Sequence, residues 1–240
     1  MLATTARSLA RVSRKVKPLI LLTEKYDFIP IESRDHGMVM DTTRKGFYAV
    51  DPHSRALGIA SHNGGEFMDW IVSNALKYPY GIRVMHKETG KMIGVRLMSE
   101  WRRDGKDTRN DFDFTKLDEN TMMFAKILGN LKTQIWSLRP EAEKVLRREV
   151  IYVDRVHQGQ GIGQYLMHLD LDFDQLRSSG FDGIMAESTS FASQLLLTRN
   201  GYKILAMSKP KELIRSNGQR VELPDEAEAA KLLYLPFKKS

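Results

Sequence analysis

The sequence predicts a mixed α/β sheet of about six to seven strands with helices on both faces. Three observations carry the prediction. An apolar strand at 149–153 runs through a glycine-rich turn into an amphipathic helix and then a second strand at 183–188. Residues 82–86 and 91–97 flank Lys87-Glu88-Thr89-Gly90, a hairpin signal whose glycine suits a positive φ. The count and order of strand-length and helix-length segments match a sheet covered on both sides.

Taken in order, residues 26–31 are expected as a first strand and 35–49 as a helix. Residues 64–77 read as a second helix, with Phe67, Trp70, Ile71 and Leu76 as its apolar positions. After the hairpin, the polar stretch 99–113 is expected as a loop, with Trp101 in it as a candidate wall for an aromatic ligand. Residues 117–136 place Met122, Phe124, Ile127 and Leu131 at helical spacing, and Arg139-Pro140 stops that helix. The next helix opens near Gly161, runs to about Ser178 and stops at Ser179-Gly180. A short helix from Phe191 to Asn200 closes on Gly201-Tyr202, because glycine just past the last helical residue is a common stop. Strands at 203–206 and 232–237 complete the count, with Asn217-Gly218 marking a turn before the last.

Composition narrows the function. The 240 residues are 42% hydrophobic, enough for one sizeable core, and no apolar run has the length of a membrane span. With no cysteine, disulfides, thiolate catalysis and sulfur-ligated metals are excluded. The net charge of +7 is concentrated at the start, where Arg7, Arg11, Arg14, Lys15 and Lys17 precede any acid; removing these five leaves +2. The body is therefore close to balanced, which argues against a nucleic-acid binder, whose basic face belongs to the fold itself. Residues 1–23 are expected as a basic segment, disordered or targeting, and 24–240 as one domain. The arginines recur at helical spacing opposite Leu9, Val12 and Val16, a pattern similar to a mitochondrial transit peptide. The expected location is cytoplasmic, with the mitochondrion as the alternative.

The chemistry concentrates at Gln158-Gly159-Gln160-Gly161-Ile162-Gly163. Three glycines in five residues permit a tight turn and leave backbone N–H groups uncovered; at a helix start these suit an anion such as phosphate. The dinucleotide pattern G-x-G-x-x-G fails on spacing, and the P-loop pattern lacks its Lys-Ser/Thr pair. Gln158-x-x-Gly161-x-Gly163 does fit Q/R-x-x-G-x-G/A. Taken alone, the hexapeptide is equally well a ligand-free strand-to-helix turn. Together with the strand, short helix and Gly201-Tyr202 that follow, it resembles the GNAT acyltransferase superfamily over roughly residues 70–237, most specifically 148–206.

That resemblance implies a GNAT-like sheet in which acyl-coenzyme A lies where two parallel strands splay, and acetyl transfer to an amine in a ternary complex. It places the pyrophosphate on the N–H groups of Gln158, Gly159, Gln160, Gly161, Ile162 and Gly163, and pantetheine against free backbone groups at Tyr152 and Val153. No metal is implied. Many members carry a tyrosine acid four residues before the glycine, but that position is Leu197, which cannot donate a proton.

The chain is similar instead to insect-type arylalkylamine N-acetyltransferases, which carry two hydroxyl residues there. The matching positions are Thr189 and Ser193, with Ser193 the preferred acid; helix capping by Thr189 or Ser190 is the competing role. The base of that group corresponds to Asp51 in Asp51-Pro52, equally a turn former, with His53 where an apolar residue is usual. Glu187, at a strand end, is the competing base, or else a surface charge. His157 is either near the phosphates or solvated, and His168 with Asp170 and Asp172 lacks credible metal geometry. The expected acceptor is a small arylalkylamine-like amine. The alternatives are a protein N-terminus or lysine, or a catalytically weak acyl-coenzyme A binding module. Oligomeric state is not legible.

Overall fold

The computed structural model describes residues 21–106, 111–208, 213–223 and 229–237. The basic residues up to Lys17, and with them the targeting pattern, lie outside the described residues. Residues 21–23, grouped by composition with the basic segment, are helical and lead into the first strand, and Leu22 is buried.

Seven strands form one sheet: β1 (Tyr26–Pro30), β2 (Ile82–His86), β3 (Met92–Arg102), β4 (Lys144–Val153), β5 (Gly183–Ser188), β6 (Lys203–Met207) and β7 (Lys231–Pro236). The order across the sheet is β1-β2-β3-β4-β5-β7-β6. Only β4 and β5 run parallel; every other neighbouring pair is antiparallel. After the helical residues 21–25, the helices are α1 (His36–Val50), α2 (Pro52–Leu57), α3 (Gly65–Ala75), α4 (Glu119–Thr133), α5 (Ile135–Leu138), α6 (Ile162–Leu166), α7 (Phe173–Ser178) and α8 (Phe191–Arg199) among the described residues.

Alternation along the central strands assigns the two faces. Val145, Met185 and Tyr234 point to the core built by α1, α3 and α4, while their neighbours Leu146, Ile184 and Leu233 point to the core containing Leu176, Phe181, Leu197 and Tyr202. Helices thus cover both faces, as the sequence predicts.

Three expectations need correction. The stretch 99–113 is not loop throughout, because β3 continues to Arg102 opposite the lengthened β4. Trp101 is therefore a buried strand residue, packed edge-on to Trp136 with the Lys132 ammonium 3.8 Å above its ring. Asp51-Pro52 opens an additional helix, α2, with Pro52 in its first turn.

The expected helix 161–178 is broken into α6 and α7. Buried guanidinium groups take the carbonyls that would continue it: Arg96 donates to Leu166 O (2.9 Å) and Leu169 O (2.6 Å), and Arg148 to Met167 O. Asp170 then adopts φ 53°, and Asp172 caps α7 by accepting from the N–H groups of Asp174 and Gln175. Apolar periodicity alone does not reveal an arginine arriving from another strand.

Arg96 is 1% exposed and also donates twice to Tyr80 O. Burial, and then the like charge of Arg148, bring its pKa down to about 10, so it stays charged at neutral pH. Arg96→Leu is expected to destabilise the protein by about 3 kcal/mol by orphaning buried carbonyls, measured as a lowered urea midpoint.

Candidate active site

The site begins with a register fault in β4. Leu97 faces Val150 and Met98 faces Arg148, so Glu149 is an extra residue, a β-bulge that bends the strand. The parallel pairing with β5 ends at once, its last partners being Arg148 and Ala186. Beyond them, residues 149–153 and Glu187–Ser188 diverge without a shared ladder. This is the splay expected between two parallel strands, and it leaves backbone polar groups open to a ligand.

A cavity of about 1010 Å³ occupies the gap. At one end lies the glycine-rich turn, where Gly159 (φ 75°) and Gly161 (φ 91°) take left-handed conformations that a side chain disfavours. Among the described residues, the N–H groups from Gly159 to Gly163 have no protein acceptor. The N–H of Gln158 is different, donating to Arg155 O, and its side-chain amide donates to Val153 O (2.9 Å). Uncommitted N–H groups therefore run from Gly159 to Gly163, of which Gly159, Gly161, Ile162 and Gly163 line the cavity, and the Val153 carbonyl is already engaged. Helix α6 has only five residues, so its dipole contributes little beyond these N–H groups. Gln160 does not line the cavity, because its Oε1 accepts from Tyr26 O–H (2.9 Å), which also meets His157 Nδ1 (2.9 Å). His157 is thus hydrogen-bonded at the cavity edge rather than simply solvated. Tyr152 and Val153 line the middle, the Tyr152 ring lying so close on Gly46 that any side chain at 46 would collide with it.

All four sequence-nominated catalytic residues, Asp51, Glu187, Thr189 and Ser193, line the same cavity. The Thr189 hydroxyl donates to Asp51 Oδ2, across 138 positions of chain. Asp51 Oδ1 accepts from the N–H and O–H of Ser54, both at 2.8 Å, so Asp51 caps α2 and joins the site at once. The capping role at α8 belongs to Ser190, whose Oγ accepts from Ser193 N–H (3.3 Å). The Ser193 hydroxyl has no partner among the described residues. His53, beside Asp51, is fully buried with both ring nitrogens unpartnered, and burial lowers its pKa. It fills the place of an apolar residue as a neutral imidazole.

Glu187 is not a surface charge. Its side chain is 2% exposed and receives Arg147 Nε at 3.0 Å, while the same guanidinium pairs with Glu149, which also accepts from the Ser99 hydroxyl. Burial raises the Glu187 pKa, Glu149 adds to the rise, and Arg147 opposes it. Leu197 is buried at the cavity wall and offers no proton. The other end of the cavity is an aromatic chamber of Phe47, Phe67, Trp70, Phe114 and Phe124, with Arg55 and Lys132. Among its lining residues, Arg55, Lys132, Arg147 and Arg155 were missed by sequence reasoning. Their neighbours carry no motif, and only the β4 bulge and the packing of α2 against α4 bring them together. No three His, Asp or Glu side chains gather as a metal site among the described residues.

Replacing Glu187 with Ala leaves a buried arginine with one carboxylate instead of two. It is expected to cost about 3 kcal/mol of stability, read from denaturant unfolding, whereas Glu187→Gln retains an acceptor for Arg147 and loses less.

No protein-family description matches the sequence, and no curated protein does. Similarity appears in three dimensions. Arylalkylamine N-acetyltransferase 2 from Aedes aegypti superimposes with TM-score 0.72 at 17% identity, covering 89% of this chain and 99% of that one. Drosophila melanogaster polyamine N-acetyltransferase, which forms N-acetylagmatine, gives 0.66 at 15%, covering 88% and 99%. The C-terminal condensation domain of Ebony, in complex with beta-alanyl-dopamine, gives 0.68 at 18%, covering 88% and 99%. This chain, a seven-stranded sheet with β4 and β5 as its parallel pair, thus shares the GNAT fold of these proteins.

Proposed function

We propose that this protein transfers an acetyl group from acetyl-coenzyme A to the primary amine of a small, arylalkylamine-like acceptor, by direct attack within a ternary complex. The observation that carries the reading is one continuous cavity joining the unpaired N–H groups of Gly159, Gly161, Ile162 and Gly163, an opened parallel strand pair, and an aromatic chamber beside Asp51, Thr189 and Ser193. The first two features fit the ligand: N–H groups without acceptors suit a diphosphate, and unladdered strand edges suit the amides of pantetheine. The thioester supplies an activated acetyl group held next to its acceptor.

The residues of this chain supply orientation and proton handling. An alkylamine is protonated at neutral pH, so a base must free its lone pair before the C–N bond forms and the C–S bond breaks. Asp51 takes that role, directly or through one water, with Thr189 and Ser54 fixing its carboxylate. Glu187 is held by Arg147 and serves mainly to keep β4 and β5 apart. Ser193, whose hydroxyl is uncommitted, delivers its proton to the departing thiolate and is reprotonated by the second proton that the attacking nitrogen sheds as it becomes an amide. Phe67, Trp70 and Phe124 offer an apolar wall to an aryl or alkyl body and exclude water from the amine.

Two measurements test this. Calorimetry should show acetyl-coenzyme A binding that falls at least about tenfold in Gly161→Asp, since the change strains φ 91° and adds a negative charge at the turn. Unchanged affinity would sink the diphosphate assignment. A thiol-release assay over an amine panel should then show turnover with phenethylamine-type acceptors, reduced about 10²-fold or more in Asp51→Asn and about tenfold in Ser193→Ala. Turnover confined to peptides would favour a protein acetyltransferase. Binding without any turnover would favour an acyl-coenzyme A binding module, the reading that Leu197 motivates.

A further inference from the structure

The acceptor chamber has an unusual charge arrangement for a site meant to receive a cation. Each carboxylate lining the cavity is already committed. Asp51 accepts from Ser54 and Thr189, and Glu149 and Glu187 share Arg147. Arg55 lies four residues after Asp51, one helical turn along α2, where an i,i+4 ion pair would be natural. That pair is not made, because Asp51 is turned to Thr189 and Ser54. The Arg55 guanidinium lines the cavity, is exposed at its mouth and has no hydrogen bond or ion pair among the described residues. Lys132 adds a second positive charge from α4, the helix against which α2 packs.

We propose that this chamber selects amines carrying a single positive charge and discriminates against diamines, with Arg55 as the residue that sets the discrimination. The inference rests on the acetyltransferase reading above and names the acceptor class within it. The reasoning is electrostatic. An acceptor ammonium placed near Asp51 stands one helical turn from Arg55, and a like charge favours loss of its proton, which the reaction requires. A second ammonium, at the far end of a diamine, meets no base to take its proton and no free carboxylate to pair with. It meets Arg55 instead. An aryl or alkyl tail incurs no such repulsion and gains contact with Phe67, Trp70 and Phe124.

The test compares hexylamine with 1,6-diaminohexane, which differ only in the terminal ammonium, with phenethylamine as the reference acceptor. In the wild type, kcat/KM for hexylamine should exceed that for the diamine by roughly tenfold, the size of one partly screened repulsion at a helical turn's distance. Arg55→Glu should shrink or invert the ratio by raising kcat/KM for the diamine, while Arg55→Lys keeps it. The affinity for acetyl-coenzyme A, read by calorimetry, should stay unchanged in both variants. Equal wild-type kcat/KM for the two amines, or a ratio indifferent to Arg55→Glu, overturns the inference while leaving the acetyltransferase reading intact. Absence of turnover with all three amines, despite cofactor binding, overturns both.

Discussion

The structure depends on holding a sheet open at its centre. Parallel strands are ordinarily buried and continuously paired, so ending the β4–β5 ladder after Arg148 and Ala186 leaves backbone groups and a gap where packing should be. Left to itself, such a gap would close. The β-bulge at Glu149 turns β4 aside, and Arg147, still within the ladder opposite Met185, reaches Glu187 and Glu149 just beyond its end. The buried cation is satisfied only when both carboxylates stand at that separation, so the ion network works as a strut. Its net contribution to stability is small, because desolvation offsets much of the attraction. What it contributes is geometry.

Adjacent arginines divide this work between the faces of the sheet. Arg147 serves the strut on the side of α4, whereas Arg148 points to the opposite side and donates to Tyr202 Oη (3.1 Å) and Met167 O. Arg96, one strand over, completes the capture of carbonyls after α6. The glycine-rich turn is therefore held from both directions, by Tyr26 through Gln160 on the sheet edge and by the arginines behind the helix that follows. His168, within this cluster, has its pKa lowered to about 4 by burial and then by Arg148 and Arg96, and so stays neutral. A third cation beside two buried arginines is not tolerated.

Local features of the sequence were sufficient for the strands, the turn at 159–163 and helix α8, because each rests on neighbours in the chain: alternation, positive-φ glycines, and the stop at Gly201. What escaped was set by partners far away. The break between α6 and α7 follows from Arg96 and Arg148, and the length of β3 follows from its pairing with β4 as far as Lys144. For the candidate site, it is the resemblance to arylalkylamine N-acetyltransferases that nominates Thr189 and Ser193, by their place before Gly201, and Asp51, by its proline; the structure brings all three to one cavity. The hydroxyl–carboxylate bond that unites Thr189 with Asp51 spans 138 residues and leaves no local trace. The assignment of the α8 cap to Ser190 rather than Thr189 is decided by that same distant carboxylate, which claims the threonine first.

Fold alone does not decide the chemistry, since a condensation domain and amine acetyltransferases superimpose on this chain about equally well. The shared element is the fold of the sheet; on this chain the cavity's chemistry is set by what α1 to α4 build against it. Here that side combines an aromatic wall with cations and no uncommitted carboxylate. Such a surface stabilises the neutral form of an amine more than its ammonium, and it does so before any base acts. In the proposed reaction, acceptor choice and acceptor activation are two consequences of one charge distribution, because the field that repels a surplus ammonium also loosens the proton from the one that must react.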